Sequence, residues 1–225
     1  MLPYKSTKFH AVVPLSGGID STAALYLSLK NNPDQNFLVY RIQLLNGTSG
    51  HRSIREEFAT ESILLWLEKN GYANFAYRKL SFDYSSLGMM PPVWDSDVVN
   101  FVAAVAVHAH PEINRFVEGA IADDFDDPSF AKRLEKIMAL FYLAAERSPK
   151  DFSFDFPVKE MRKYEVMKAL PEELLALTWS CRYPEIGAPY TFDRCHKCPQ
   201  CKVIDSVLEE HPEMAPFVNE SKVEN

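Results

Sequence analysis

Four cysteines, the chain's whole complement, lie close together near the carboxyl terminus. Cys195, Cys198 and Cys201 have C-x2-C-x2-C spacing, and Cys181 precedes them. Four thiolates spaced in this way can surround one zinc ion, because two-residue connections let neighbouring sulfurs reach the same metal. A closed four-thiolate shell has no open position for water, so we expect one structural zinc per chain. The main alternative is an iron–sulfur cluster, since ferredoxins use the same spacing.

A second group of residues that could do chemistry lies near the amino terminus and predicts a phosphate site. Two adjacent glycines allow a tight turn that brings backbone N–H groups close to an anion. The segment follows a predicted strand and opens a predicted helix, whose unpaired N–H groups and dipole also favour negative charge. Three hydroxyl side chains add donors. We call this segment, residues 15–22, the phosphate loop; its members are Leu15, Ser16, Gly17, Gly18, Ile19, Asp20, Ser21 and Thr22.

Asp20 is the unusual member of the phosphate loop. A carboxylate beside phosphates is repulsive unless a cation lies between them, so Asp20 indicates either a magnesium ion or a helix cap. The loop has neither the Gly-Lys-Ser/Thr ending of a Walker loop nor the Gly-x-Gly-x-x-Gly pattern of dinucleotide sites. An ordinary strand-to-helix turn capped by Asp20 and Ser21 is the alternative interpretation.

Composition narrows the classes of protein that can carry these two groups. The 225 residues are 47% hydrophobic and 24% charged, which excludes disordered and collagen-like chains. Acidic residues outnumber basic ones by 31 to 24, so a general affinity for nucleic-acid phosphates is not expected. No apolar run approaches the roughly 20 residues of a membrane helix. The first residues show no apolar signal core, which predicts a cytoplasmic protein with metal-binding rather than disulfide-bonded cysteines.

The elements that position both groups alternate between strands and helices. Apolar runs predict five strands, at residues 9–14, 37–42, 75–80, 116–121 and 152–156. Periodic segments predict helices at 22–29, 53–70 and 130–141, and a buried helix at 98–109. This alternation predicts an α/β fold, a Rossmann-like parallel sheet of about five strands with helices on both faces.

The two groups together resemble one enzyme family. Ser-Gly-Gly-Ile-Asp-Ser is similar to the pyrophosphate loop of the N-type ATP pyrophosphatases, which split ATP into AMP and pyrophosphate and activate a substrate oxygen as an adenylate. That superfamily includes GMP synthetase, NAD synthetase, argininosuccinate synthase and tRNA thiolases. Combined with Thr178-Trp179-Ser180-Cys181 and the later cysteines, the pattern resembles the 7-cyano-7-deazaguanine synthases of queuosine biosynthesis.

The resemblance implies a specific organisation and activity. Residues 1–178 would form an adenine nucleotide alpha hydrolase-like ATP domain, and residues 179–225 a zinc segment packed on it. The enzyme would use ATP, magnesium and ammonia to convert 7-carboxy-7-deazaguanine to 7-cyano-7-deazaguanine. Asp20 would hold magnesium, and Lys163, in a segment that resembles the family's Lys-x-Glu, would supply a cation. The family also implies a homodimer that acts on small molecules.

The middle of the chain departs from the family pattern. Ser96-Asp97-Val98 stands where the family has Gly-Arg-Asn, so Arg52 or Lys163 would have to supply the missing positive charge. His51 lies in a loop similar to the family's Tyr-Gly-Gln-x-His loop, and we expect it and Arg52 to contact substrate. Asp123 follows the predicted fourth strand, where it would accept the N–H groups of a guanine-like edge.

These departures leave other functions open. A divergent relative would stop at the amide or join the deazapurine to another amine. Two alternatives belong to a different functional class: a tRNA-thiolase-like adenylating enzyme and a nucleotide-binding protein without turnover. The acidic composition weighs against a nucleic-acid substrate.

Overall fold

The computed structural model describes residues 8–45, 50–83, 85–87, 95–186 and 192–218. Five parallel strands form one sheet in the order β3-β2-β1-β4-β5, and helices cover both of its faces. This confirms the predicted α/β class.

The strands are β1 (Ala11–Pro14), β2 (Phe37–Leu45), β3 (Phe75–Asp83), β4 (Arg115–Val117) and β5 (Ser153–Asp155), and β6 (Glu185–Ile186) and β7 (Phe192–Asp193) form a small antiparallel pair. The helices are α1 (Ile19–Asn31), α2 (Gly50–Lys69), α3 (Asp95–Ala109), α4 (Ala122–Phe125), α5 (Pro128–Ala145), α6 (Lys163–Ala169), α7 (Glu172–Leu175) and α8 (Pro199–Glu210), with short 3-10 turns at Ser85–Leu87 and Pro212–Phe217.

The sheet separates two apolar cores, as a parallel sheet with helices on both faces must. In β1, Ala11 and Val13 face the core formed with α1, α2, α6 and α8, whereas Val12 faces the core formed with α3 and α5. The first core also contains all four cysteine side chains. Apolar contact therefore joins the carboxyl-terminal region to the sheet's helical cover.

Several element boundaries differ from the sequence-based expectation. The fourth strand ends at Val117 instead of residue 121, because Ala120 and Ile121 are buried in the turn into α4 and do not pair with the sheet. Helix α3 is only half-buried, since Phe101 and Val105 are 41% and 48% exposed. No helix in the described ranges combines the length and the apolar character needed to cross a bilayer.

The strand order fixes where a ligand can enter. From β1 the chain builds the sheet outward through β2 to β3, and it then returns to place β4 on the other side of β1. The carboxyl ends of β1 and β4 therefore diverge at a topological switch point. In open α/β sheets this crevice is where ligands bind.

Candidate functional site

A cavity of about 320 Å³ lies at the switch point between β1 and β4. The phosphate loop forms one wall, and the residues that directly follow β4 form another. Side chains from β2, α2, α3 and α5 close the sides, and residues of the Thr-Trp-Ser-Cys segment cover one edge. The cavity thus joins elements from both ends of the chain around the predicted phosphate site.

The turn of the phosphate loop requires glycine at position 17, because its backbone is in the left-handed region and its neighbours are close. Gly17 has φ of +81°, and a Cβ placed there would lie 2.9 Å from the carbonyl oxygen of Glu56. Helix α1 then begins at Ile19, with Gly18 as its N-cap residue. The Ser16 and Ser21 hydroxyls lie 2.9 Å apart across the turn. The loop therefore presents hydroxyls and a helix start to the cavity, as an anion site requires.

Asp20 and Lys163 form an ion pair beside the loop. The Lys163 ammonium lies 2.6 and 2.7 Å from the two carboxylate oxygens of Asp20. Lys163 is 4% exposed and does not line the cavity, whereas Asp20 does. The buried lysine therefore fixes the position of the Asp20 carboxylate at the wall of the cavity.

Three arginines supply positive charge at the cavity. Arg41 and Arg52 both contact Glu56, at 2.8 and 2.7 Å, and Arg52 and Arg182 share Asp95, at 2.7 and 3.8 Å. Burial alone would lower the pKa of Arg52, but the two carboxylates outweigh it and raise that pKa above its usual range. Three cations face two anions, so this group has a net positive charge that suits a phosphate or carboxylate ligand.

Glu118, which directly follows β4, places a carboxylate in the same cavity. Its Oε1 accepts a hydrogen bond of 3.4 Å from the amide of Asn100, which is 1% exposed. Burial, followed by repulsion from Asp124, raises the pKa of Glu118 to about 7, although the Asn100 hydrogen bond opposes this shift. The sequence analysis missed Glu118 because the predicted fourth strand included it. An acidic residue between an apolar strand and a glycine could have indicated that the strand ends there and that the acid lies at the sheet edge.

The Thr-Trp-Ser-Cys segment reaches back to the phosphate loop. The Trp179 backbone N–H donates to the carbonyl of Gly17 at 2.8 Å, and the Ile19 backbone N–H donates to the Ser180 hydroxyl at 3.3 Å. The Arg55 guanidinium lies 4.6 Å from the centre of the Trp179 ring, a cation–π contact that fixes α2 against the same segment. The two parts of the sequence with the most distinctive motifs are therefore in direct contact.

The four cysteines form one buried cluster with their sulfur atoms within 4.8 Å of one another. Within the described residues they are the only group of three or more metal-ligating side chains so close together. Backbone N–H groups donate to the sulfurs: Cys195 to Cys181 at 3.3 Å, Cys198 to Cys195 at 3.3 Å, and Cys201 to Cys198 at 3.4 Å. Burial alone would raise the pKa of the Cys195 thiol, but N–H groups and neighbouring thiols lower it to about 7.

This donor set fits a metal ion. Zinc–sulfur bonds of about 2.3 Å in a tetrahedron place sulfurs about 3.8 Å apart, and the Cys195 and Cys201 sulfurs lie 4.0 Å apart. In a four-iron cluster each thiolate binds a different iron, so the sulfurs must stand further apart than around one ion. The cysteine side chains therefore can bind metal, and their spacing favours a single ion.

Of the three residues predicted to bind substrate, only one lines the cavity. Arg52 lines the cavity, whereas His51 is exposed on α2 and does not. Asp123 lies outside the cavity, and its carboxylate accepts hydrogen bonds from Arg162 at 2.7 Å and from the Lys163 N–H at 3.3 Å. In this arrangement the Asp123 carboxylate faces Arg162 and the start of α6, and its proposed role in substrate binding stays a prediction. Residues 46–49, which belong to the middle loop, lie outside the described residues.

Asp97, the acid in the Ser96-Asp97-Val98 segment discussed above, pairs with Arg133 between α3 and α5. It does not line the cavity, so its negative charge does not oppose an anion bound there. Of the two residues expected to supply positive charge, Arg52 belongs to the arginine group at the cavity, whereas Lys163 pairs with Asp20.

No protein-family model and no curated protein sequence matches this chain. Among solved structures it is similar to the U34-tRNA thiolase NcsA from Methanococcus maripaludis, which was solved with its 4Fe–4S cluster. The two chains are 18% identical and superpose with a TM-score of 0.49, over 94% of this chain and 70% of that one. At this level of similarity, the function has to be argued from the site itself.

Proposed function

We propose that this chain is an ATP-dependent ligase that adenylates a small carboxylate substrate. The observation that carries the proposal is the cavity at the switch point, where the phosphate loop, Asp20 and a net positive arginine group surround one space. A carboxylate oxygen of the substrate attacks the α-phosphorus of ATP, and the bond to pyrophosphate breaks. The phosphate loop receives the departing pyrophosphate, whose charge its N–H groups and hydroxyls stabilise.

The proposed acceptor is 7-carboxy-7-deazaguanine, on the strength of the paired sequence motifs. Ammonia displaces AMP from the carboxyl adenylate and loses a proton, which gives the amide. The amide oxygen then attacks a second ATP and releases a second pyrophosphate. Loss of AMP together with the remaining N–H protons yields the nitrile of 7-cyano-7-deazaguanine. The protein needs no nucleophile of its own, because its task is to align the reactants and neutralise charge.

Asp20 is the proposed ligand for magnesium, since its carboxylate lines the cavity beside the phosphate loop. Magnesium would neutralise phosphate oxygens and orient them. Lys163 holds Asp20 through its two short contacts and prevents the carboxylate from turning away. Lys163 therefore acts through Asp20 as a positioning residue.

The four cysteines are proposed to bind one zinc ion with a structural role. The cluster is buried and accepts hydrogen bonds from backbone N–H groups, which stabilise thiolates. A metal held there anchors the segment that carries Trp179 and Ser180, and both residues contact the phosphate loop. The metal thereby supports the shape of the nucleotide site without entering the reaction.

The direct test is to incubate the protein with ATP, Mg²⁺, ammonium and 7-carboxy-7-deazaguanine. We expect AMP and pyrophosphate in equal amounts, and a product whose mass identifies the nitrile. Accumulation of the amide alone would assign the chain to a relative that stops after one adenylation. Omission of the deazapurine should reduce AMP formation to background, and AMP formation at an unchanged rate without it would contradict the proposal.

A matched pair of variants locates the reaction. Asp20→Asn should abolish the release of AMP and pyrophosphate, whereas Glu135→Gln, a change at an exposed carboxylate that does not line the cavity, should leave both unchanged. Equal activity in the two variants would show that turnover takes place elsewhere.

A further inference from the structure

The two ends of the cavity differ in chemistry. The phosphate loop and the arginine group form a positive, N–H-rich end, whereas Glu118 provides a hydrogen-bond acceptor after β4. Within the described residues, Glu118 has no ion-pair partner, and only Oε1 receives a side-chain donor. A carboxylate offers several lone-pair sites, so most of its accepting capacity is left for a ligand.

We propose that Glu118 binds the acceptor substrate through a planar edge with two adjacent N–H groups, as found on a 2-amino-4-oxopyrimidine ring. This inference rests on the proposed function, which requires an acceptor in the same cavity as ATP. It assigns to Glu118 the recognition that sequence reasoning had given to Asp123. Because Glu118 would touch substrate away from the reacting carboxyl group, it would determine specificity.

Asn100 holds the Glu118 carboxylate in a fixed orientation. Its side-chain amide donates to the Ser96 carbonyl at 2.8 Å and to Glu118 Oε1 at 3.4 Å. Asn100 is fully buried on α3, so its amide position is set by packing. A carboxylate fixed from one side accepts a pair of parallel N–H bonds with less loss of side-chain freedom than a mobile one.

The sides of the cavity suit a flat heterocycle. Tyr40 and Ile42 from β2, Val99 from α3 and Phe130 from α5 all line it. Apolar and aromatic walls with a few polar groups are typical of sites that bind small planar molecules. The walls therefore favour a ring, and the carboxylate favours the N–H-bearing edge of that ring.

Neighbouring acids are less suited to this role. Asp123 is engaged by Arg162 outside the cavity. Asp124 also lines the cavity, but its carboxylate caps the start of α4 by accepting the Ile121 backbone N–H at 2.9 Å. Burial is the main cause that raises the pKa of Glu118. This shift is consistent with a carboxylate that has no neighbouring positive charge and that a ligand with several N–H donors would stabilise.

The test compares two probes that differ in a single group. 7-Deazaguanine carries the 2-amino group, and 7-deazahypoxanthine lacks it. Calorimetric titration of the wild-type protein should give roughly tenfold or tighter binding of 7-deazaguanine, the effect of one hydrogen bond to a charged group. In Glu118→Gln this preference should fall below about twofold, because an amide has only one acceptor atom and adds donors of its own.

Three further variants make the result specific. Glu135→Gln should retain the full preference, because that exposed carboxylate does not line the cavity. Asn100→Ser should reduce the preference by roughly threefold, since it removes the amide that orients Glu118, and it provides a second readout if Glu118→Gln does not fold. Asp123→Asn should retain the preference.

Each contrary result would overturn the assignment. Equal binding of the two probes by the wild-type protein would do so, as would a preference that persists in Glu118→Gln or disappears in Asp123→Asn. The titrations contain no ATP, so they are independent of turnover. If AMP formation with 7-carboxy-7-deazaguanine fails while the probe preference holds, the proposed reaction is wrong and the Glu118 subsite stands.

Discussion

The phosphate loop and the cysteine cluster use similar backbone chemistry for different purposes. In both, short turns direct N–H groups towards acceptor atoms of the protein. Around the cysteines the acceptors are buried sulfurs, and the cluster is enclosed by the apolar core. In the phosphate loop the Ser16 and Gly18 N–H groups meet serine hydroxyls at 3.2 and 3.3 Å, and the loop opens onto a cavity. A closed cluster suits a permanent metal, whereas an open loop suits an anion that must leave.

The two regions nevertheless depend on each other. Trp179 and Ser180, which lead into the first cysteine, supply hydrogen-bond partners to Gly17 and Ile19 of the phosphate loop. Damage to the cysteine cluster should therefore affect both regions. Damage confined to the phosphate loop should leave the cysteine cluster and its metal content unchanged.

The largest expected effect is that of Cys198→Ser. This change removes one of the proposed metal ligands, whereas a serine hydroxyl can still cap α8 in place of the thiol. Because binding of a structural metal contributes directly to folding, we expect loss of the metal and a fall of more than about 4 kcal/mol in the free energy of unfolding. Metal analysis and urea unfolding measure both quantities. A metal-free variant as stable as wild type, or a wild-type protein that contains iron and a visible chromophore, would contradict the structural zinc site.

Asp20→Asn should lower both activity and stability, for two separate reasons. Loss of the carboxylate should lower pyrophosphate release at least about 100-fold, comparable to removal of a key electrostatic group. It also leaves the Lys163 ammonium buried without its carboxylate, which should destabilise the fold by about 3 kcal/mol.

A double variant checks this explanation. Asp20→Asn combined with Lys163→Met should recover most of the lost stability, because no buried charge is left unpaired, and should recover none of the activity. Recovery of turnover in the double variant would show that the carboxylate has no role beyond the ion pair.

Gly119→Ala should disturb the phosphate loop from the opposite wall of the cavity. A Cβ at Gly119 would lie 2.6 Å from the carbonyl oxygen of Asp20 and 2.8 Å from the nitrogen of Ser21, so the start of α1 must shift. Displacement of a catalytic loop by a fraction of an ångström should lower kcat/KM by roughly 10- to 100-fold.

Gly71→Ala is the matched control for that substitution. Gly71 has φ of +87°, but a Cβ there would have no heavy atom within 4 Å. It should cost about 1–2 kcal/mol in stability through backbone strain and leave kcat/KM unchanged. Similar activity losses in the two alanine variants would remove the argument for a steric effect on the loop.

The sequence predicted the features that depend on local pattern. Adjacent glycines after an apolar strand and cysteines two residues apart are local signals, and the structure contains the tight turn and the sulfur cluster that they indicated. The α/β class followed from alternating periodicity and is confirmed. The assignment of ligands to these residues remains a prediction.

Features that depend on tertiary contacts were not predictable from local pattern. Asp123 and Glu118 are five residues apart, but only Glu118 lines the cavity. This difference arises because β4 ends at Val117 and because Arg162, at the amino end of α6, contacts Asp123. The pairing of Asp97 with Arg133 likewise joins two helices whose packing no local motif encodes. The order of the strands, which creates the switch point, also cannot be predicted from hydrophobic periodicity, because periodicity identifies elements and not their neighbours.

Glu118→Gln should change stability in a pH-dependent manner. The folded-state pKa of Glu118 is raised from its ordinary value near 4.5 to about 7, so the folded state binds the proton more tightly than the unfolded state. Its contribution to stability is therefore most favourable below about pH 4.5 and falls as pH rises through 7. The glutamine variant should lie within about 1 kcal/mol of wild type at pH 5 and exceed it by about 1–3 kcal/mol at pH 8 in urea unfolding. An equal difference at both pH values would show that burial does not perturb this carboxylate.

The smallest expected effect, that of Ser180→Ala, tests the contact between the two regions directly. The change removes the hydroxyl that accepts the Ile19 N–H at 3.3 Å and leaves the cysteines untouched. Because Ser180 lines the open cavity, water replaces part of the lost hydrogen bond, and stability should fall by less than about 1 kcal/mol. The Ile19 N–H at the start of α1 then loses its fixed acceptor, so the KM for ATP should rise by roughly two- to tenfold with metal content unchanged. Loss of metal in Ser180→Ala would mean that the phosphate loop supports the cysteine cluster, and the dependence between the two regions would run in the opposite direction.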